Sequence, residues 1–217
     1  HSQALHSFFM HVPGIKVVAP ATPYDAKGTL LAAIRDDNPV LYVEHRLLHY
    51  LDGPVPTEAY EVPPGKARIT SLGQDITIVG ISHMHLECMR AQKYLQAIGI
   101  QAEVIDPIWL QPLDYKTIIS SVRKTGKLIV VDNGWTTCGA ASEIAAQVAE
   151  ALEGNPEIRI RRMGFAPSTC PTTPALESLF YPNARTIAST AYSLLRPNAA
   201  HWLPEERKDL QNIEFKG

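Results

Sequence analysis

The 217 residues include only three cysteines, Cys88, Cys138 and Cys170, far apart and without a Cys-x-x-Cys pair. That leaves no disulfide framework and no thiolate metal cluster to staple the fold. An odd count without metal spacing suits a reducing compartment and predicts buried thiols. A surplus of one charge is also missing: 20 Lys and Arg stand against 22 Asp and Glu, for a net charge of -2. With no basic tract, nucleic acid is disfavoured as the main partner. No apolar run is long enough to cross a membrane. No signal-peptide pattern opens the sequence. There is no Gly-x-Gly-x-x-Gly, so Gly134 and Gly139, between a strand and a helix, read as a tight connection before a dinucleotide loop. Repeats and low-complexity tracts are absent.

What remains is 45% hydrophobic residues, enough to bury a proper core in one large or two small domains. Residues 20–46 are the most informative stretch. Pro23 suits a first helical turn, where its missing N–H costs nothing. Thr22 can cap that helix. Ala26, Leu30, Ala33 and Ile34 fall at helical spacing. Asp36-Asp37-Asn38-Pro39 ends the helix, because a residue before proline is pushed out of the helical region. Val40-Leu41-Tyr42-Val43 then reads as a covered strand. Carbonyl oxygens are free at such a helix end, and with Asp36 and Asn38 they could hold a hard cation. A solvated loop whose Asp side chains cap local N–H groups explains the same residues.

Upstream, Leu5, Phe8, Phe9 and Val12 form a helical stripe that stops at Pro13-Gly14, and residues 15–19 read as a strand. Helix, strand, helix, strand is an α/β pattern with parallel pairing. Two strands bury too little surface to stand alone. The expectation is that a preceding part of this domain is absent from the chain or supplied by a partner. Residues 51–73, rich in proline and glycine, read as a linker. From residue 74 the pattern alternates again. Strands are expected near 75–81, 101–106, 127–132 and 158–163, the last at an edge. Helices are expected at 83–98 with Ser82 as cap, and at 115–124, 139–152, 175–180 and 184–195. This predicts a doubly wound parallel sheet.

Local chemistry is sparse. His83-Met84-His85 offers a His-x-His pair without a third ligand, and reads as two polar residues in a first helical turn before a metal site. Glu44-His45 follows a covered strand, at the end where α/β folds place ligands, and suits a site or a partner interface.

Ordered blocks carry a family resemblance. They are His1-Ser2-Gln3, Pro13-Gly14-Ile15-Lys16-Val17-Val18-Ala19-Pro20, Pro23-Tyr24-Asp25-Ala26-Lys27-Gly28, Ala33-Ile34-Arg35-Asp36-Asp37-Asn38-Pro39-Val40 and Glu44-His45-Arg46-Leu47-Leu48. Further on come Pro64-Gly65-Lys66-Ala67, Asp75-Ile76-Thr77-Ile78-Val79, Glu103-Val104-Ile105-Asp106 and Pro112-Leu113-Asp114. Together they resemble the beta subunit of a thiamine-diphosphate-dependent 2-oxo acid dehydrogenase of the pyruvate dehydrogenase type, within the transketolase-like proteins.

The resemblance implies an α/β fold: the C-terminal part of a pyrimidine-binding domain at 1–50, a linker at 51–73 and a transketolase C-terminal-type doubly wound sheet at 74–217. It implies decarboxylation of a 2-oxo acid and transfer of the acyl group to a lipoyl group. The expected cofactors are thiamine diphosphate with magnesium, between alpha and beta subunits, and structural potassium. The expected partners are an alpha subunit in a heterotetramer, a second beta subunit and a lipoyl acyltransferase component. His1 matches the family's active-site histidine. Ala33, Ile34, Asp36 and Asn38 match its potassium loop. The family's cofactor-activating glutamate lies upstream of the His-Ser-Gln block, so no residue here takes that role, and none is assigned to cofactor binding. The setting implied is cytoplasmic in a bacterium, or the mitochondrial matrix or a plastid in a eukaryote. Two further readings stand beside this one: a non-catalytic module for assembly with alpha subunits and acyltransferase, and an acetoin or branched-chain dehydrogenase beta subunit.

Overall fold

The computed structural model describes residues 3–211. Along the chain come α1 (His6–Met10), β1 (Lys16–Val18), α2 (Pro23–Ile34), β2 (Val40–Tyr42) and a 3-10 turn at Arg46–Tyr50. Then follow β3 (Arg68–Ser71), β4 (Ile76–Gly80), α3 (His83–Gln96), β5 (Ala102–Asp106), β6 (Trp109–Gln111), α4 (Tyr115–Thr125) and β7 (Lys127–Trp135). Next are α5 (Ala140–Ala151), β8 (Arg159–Phe165), α6 (Pro174–Glu177) and α7 (Ala184–Leu195), with a last 3-10 turn at Lys208–Gln211. Among the described residues no helix is long and apolar enough to cross a membrane.

Two sheets result. The larger runs β3-β5-β4-β7-β8. Its β5, β4, β7 and β8 are parallel, and β3 lies antiparallel on the β5 edge. Helices cover both faces, as continuous apolar strands require. Ile76 and Ile78 of β4 meet Met84, Cys88 and Leu95 of α3 and Ile187 and Ala191 of α7. Val79, one residue out of phase, meets Ile118 of α4 and Ile144 of α5 on the other face. Thr77 shares that second face, where its hydroxyl bonds Ser121 Oγ at 2.7 Å and Thr125 Oγ1 at 2.8 Å.

The smaller sheet runs β2-β1-β6. The N-terminal layer is therefore not two-stranded within this chain. Its third strand is β6, antiparallel to β1 and contributed from beyond β5. Trp109 of β6 is fully buried and packs with Val18, Ala32, Val62 and Ile108. Its Nε1–H donates to Val62 O at 3.1 Å. Leu110 turns the opposite way, into the core of the larger sheet. Three residues thus stitch the two layers together. Nothing in their sequence announces a strand, since Pro107 and Pro112 bracket them.

Local signals mostly meet their expected structure. Thr22 Oγ1 accepts from Asp25 N at 3.0 Å and caps α2, with Pro23 in the first turn. Gly126 ends α4 at φ 72, in the left-handed region that glycine adopts without strain. Three readings need correction. Ser82 does not cap α3 with its side chain; it sits buried at φ 53, where the chain reverses sharply from β4 into the helix. Residues 51–73 include strand β3, and Tyr60 and Val62 pack so closely on Gly28 of α2 that a Cβ there would lie 2.6 Å from Val62 Cγ2. Of the three thiols only Cys88 is buried, while Cys138 is exposed and Cys170 half-buried.

Replacing Trp109 by Ala should cost about 4 kcal/mol in urea unfolding, the usual penalty for emptying a large aromatic site. Limited proteolysis should cut the first 50 residues faster in the variant. A cost below about 1 kcal/mol would mean that β6 does not hold the layers together.

Candidate functional site

A doubly wound sheet takes ligands outside the carboxyl ends of its strands, where successive connections depart in opposite directions. In this sheet that position lies between β4 and β7, since β5 follows β4 on one side and the chain then returns to build β7 on the other. The N-terminal layer sits on it. Three contacts join the two, each at the end of a different strand.

The first is at β7. His6 of α1 reaches Asp132, with Nε2 3.0 Å from Oδ2, and both side chains are buried. Gly134 follows, and a Cβ there would lie 3.0 Å from Asp132 Oδ2.

The second is beyond β4. The His45 ring, in the loop after β2, stacks on His83 in the first turn of α3, with centroids 4.5 Å apart and planes at 16°. His45 Nδ1 accepts from Leu47 N at 3.3 Å, which fixes the turn that follows. Burial is the main force holding both imidazoles neutral, each near pKa 4, and the other ring and His49 add to it for His45, Arg90 for His83. His85 points away from His83 into the protein. Burial, with Arg68 nearby, lowers it to about 3. So the His-x-His pair is split, and the histidines that meet are His45 and His83.

The third is at β5. Asp25 of α2 is fully buried, with Oδ2 accepting from Thr22 Oγ1 at 2.7 Å and Oδ1 from Arg68 Nη2 at 2.5 Å. Arg68 stands opposite Asp106 across the β3–β5 ladder. Asp106 is also fully buried; its Oδ1 accepts from Ile108 N at 2.9 Å, while Oδ2 has no partner among the described residues. Burial raises the pKa of Asp25 and raises that of Asp106 further, with Asp25 itself pushing Asp106 up. The Arg68 guanidinium also lies over the Tyr24 ring, 4.7 Å from its centroid, and Tyr24 stacks on Tyr60. A hollow of about 630 Å³ opens beside Tyr24, Arg68 and Pro54–Pro56. Sequence reading missed this cluster. Its one legible signal was Asp25 at a helix N-terminus, which a capping role explains.

The other expected positions fall as follows. His1 lies outside the described residues. In the loop after α2, Asp36 accepts from the Lys16 ammonium and, through Oδ1, from Asn38 N at 2.9 Å and Asn38 Nδ2 at 3.0 Å. Lys16 above all, and then Asn38, hold its pKa down at about 2. Ala33 O accepts from Asp36 N at 3.4 Å. The one carboxylate bonded within this loop is thus already neutralised by lysine. Among the described residues no group of three or more His, Cys, Asp or Glu could hold a metal ion. Gly139 confirms the tight connection, because a Cβ there would lie 2.1 Å from Trp135 O.

Residues 65–187 match the transketolase C-terminal domain, and residues 1–50 match the transketolase pyrimidine-binding domain. The chain belongs to the transketolase family. It is 42% identical over 196 residues to the beta subunit of acetoin:2,6-dichlorophenolindophenol oxidoreductase from Cupriavidus necator, covering 90% of this chain and 58% of the relative. It is 38% identical over 196 residues to the pyruvate dehydrogenase E1 component subunit beta of Bacillus subtilis, covering 90% of this chain and 60% of that one. A solved split-gene transketolase, described as an inactive beta4 tetramer, superimposes with a TM-score of 0.74 at 25% identity, over 88% of this chain and 61% of that one. The chain therefore spans about three fifths of the length of these relatives.

Two outcomes test the contacts. Arg68→Gln should cost about 3 kcal/mol, the low end for breaking a buried pair, since the arginine side chain is 35% exposed. Adding Asp25→Asn should recover part of that loss by removing the stranded charge. A cost of Arg68→Gln below about 0.5 kcal/mol would show the pair to be idle. The second outcome is pH-dependent. Between pH 6.5 and 4 the unfolded chain protonates His45 and His83 while the folded chain resists, so stability is full above pH 6.5 and falls as pH drops through that window. In urea titrations the double variant His45→Gln/His83→Gln should flatten this fall without abolishing it, because His85 keeps its own contribution. Parallel curves for variant and parent would sink the assignment.

Proposed function

We propose that this chain serves as the beta-subunit part of a thiamine-diphosphate-dependent dehydrogenase acting on a 2-oxo acid or acetoin, completed by an alpha subunit in a heterotetramer. One observation carries the reading: 42% identity to a named acetoin oxidoreductase beta subunit across 90% of this chain. In the pyruvate-type form of the reaction, a lipoyl acyltransferase receives the acyl group. Bound with magnesium, the cofactor supplies the electron sink for cleaving a bond beside a carbonyl. The described residues do not by themselves fit it. Two buried oxygens without partners among them, Asp132 Oδ1 and Asn133 Oδ1, accept hydrogen bonds and offer a diphosphate no donor. No step is assigned to them.

The family match suggests roles for this chain's residues. His1 is proposed to hold or deliver a proton during acyl transfer, as an imidazole can. Main-chain oxygens at Ala33 and Ile34, with Asp36 and Asn38, are proposed to bind potassium. A monovalent ion suits a loop whose carboxylate is already paired to Lys16, because carbonyl dipoles rather than net charge must hold it. A second reading, an assembly module without turnover, draws on the inactive beta4 tetramer among the solved neighbours.

The test is reduction of dichlorophenolindophenol by a beta subunit that carries this chain behind the upstream segment with the activating glutamate, together with a matching alpha subunit, thiamine diphosphate and magnesium, with pyruvate and acetoin in parallel. Turnover of either substrate that falls about 100-fold in His1→Ala supports the catalytic reading. A stable complex without turnover of either favours the assembly module. In the same samples, exchanging sodium for potassium should raise the thermal midpoint, and an unchanged midpoint would remove the potassium loop.

A further inference from the structure

β8 is an edge of the larger sheet, bonded to β7 on one side only. Its register fixes where its side chains go. Ile160 pairs with Leu128 and faces the α4–α5 core, while Met163 pairs with Val131 and faces α7. Arg159 and Arg161 have the parity of Met163. They therefore stand on the α7 face, about 7 Å apart along the strand. Arg162 has the opposite parity and is occupied, with Nη1 donating to Thr136 O at 2.7 Å.

Arg159 and Arg161 are not tied down in this way. Neither has a carboxylate within ion-pair distance among the described residues. Arg161 Nη1 donates to the backbone oxygen of its neighbour Ile160 at 3.2 Å. Both arginines line a groove of about 650 Å³ between β8 and α7, a volume in the range of small-ligand sites. Ser189, Thr190 and Ser193 line the opposite wall from α7, and His201 closes one end. Ser189 Oγ lies 3.5 Å from His201 Nε2 and is on a residue only 7% exposed. Leu194 and Pro197 supply an apolar side. Among the described residues no aspartate or glutamate lines the groove, although acidic residues outnumber basic ones in the chain.

Positive residues on an edge strand also discourage pairing with another chain. That purpose needs no facing hydroxyls, no histidine and no concavity. We propose that the β8–α7 groove is a binding site for a small organic phosphate, with Arg159 and Arg161 as the anion clamp. Guanidinium groups match phosphate oxygens in fork geometry. His201 stands within the same groove to donate to a remaining oxygen, while Ser193 Oγ, which donates to Ser189 O at 3.0 Å, can add a bond only by turning from that carbonyl. Leu194 and Pro197 receive the carbon part. This site is separate from the reading of the chain as a dehydrogenase subunit and needs neither alpha subunit nor thiamine diphosphate.

The experiment is titration of the 15N-labelled full chain with phenyl phosphate, inorganic phosphate and phenol at near-physiological salt, so that loose surface attraction is screened. Saturable amide shifts are expected in residues 158–161 and 189–201 with phenyl phosphate, weaker with phosphate and absent with phenol. Arg159→Gln and Arg161→Gln should each weaken phenyl phosphate about tenfold, one charged hydrogen bond's worth. Both positions are exposed, so the variants should fold, and unchanged spectra away from β8 would verify that. Arg123→Gln, on α4 across the sheet, should leave affinity unchanged. The proposal falls if Arg123→Gln weakens binding equally, or if shifts map elsewhere. It falls too if no saturation is reached in the millimolar range. Binding of a poly-glutamate peptide without phenyl phosphate binding would overturn it in favour of an acidic protein surface.

Discussion

The Arg68 guanidinium faces two buried carboxyl groups, and it carries charge enough for only one. Asp25 takes the hydrogen bond, at 2.5 Å, and Asp106 stands opposite in the sheet with one oxygen unpartnered among the described residues. Two carboxylates so close to each other in a dry setting cannot both ionise at modest cost. Burial, with Asp25 adding to it, pushes the Asp106 carboxyl well above the usual carboxylate range, while Asp25, raised as well by burial, has the Arg68 pairing to counter it. Arg68 comes from β3, Asp25 from α2 and Asp106 from β5, so one cation binds three segments of the chain. Losing it would strand a charge at the point where the N-terminal layer meets the larger sheet.

That junction repeats at the neighbouring strands by different chemistry. His6 and Asp132 meet as a hydrogen-bonded pair, and His45 and His83 meet as stacked neutral rings. Each contact lies in or just beyond the carboxyl-terminal part of a strand, where a free-standing doubly wound sheet would present its ligand crevice. Polar groups that elsewhere greet a ligand here greet another part of the same chain. β6 reinforces the arrangement from below, with Trp109 in one core and Leu110 in the other.

Elements that bury one continuous face were legible in the sequence. β4 is apolar apart from Thr77, β7 carries the apolar run Leu128–Val131, and α4 and α5 carry helical stripes with glycines at or just past their ends. Their form follows from local pattern alone. The site was not legible for the opposite reason. Arg68 sits in a stretch of prolines without periodicity, and its hydrogen-bond partner lies 43 residues away. His45 and His83 were both noticed, each beside the wrong neighbour, because sequence adjacency suggested Glu44 and His85 while the fold chose stacking across two segments. The buried-thiol expectation failed at Cys138 because the turn before α5 places that residue outward at φ 52. Long-range electrostatics leaves no periodic trace.

The location of the basic groove follows from the same geometry. If the carboxyl-end crevice is closed by the N-terminal layer, a ligand that meets the larger sheet must use a side or an edge. The β3 edge is taken up by Arg68 and its contacts. The β8 edge is the one that opens with arginines, and the parity of its strand sends two of them to the face where α7 presents serines and a threonine rather than carboxylates. An edge strand in a sheet of this kind is ordinarily a liability, since its unpaired backbone invites another chain. Here the same charges that forbid pairing also line a concavity without a carboxylate beside them, and exposed guanidinium groups so placed can exchange water for an anion's oxygens.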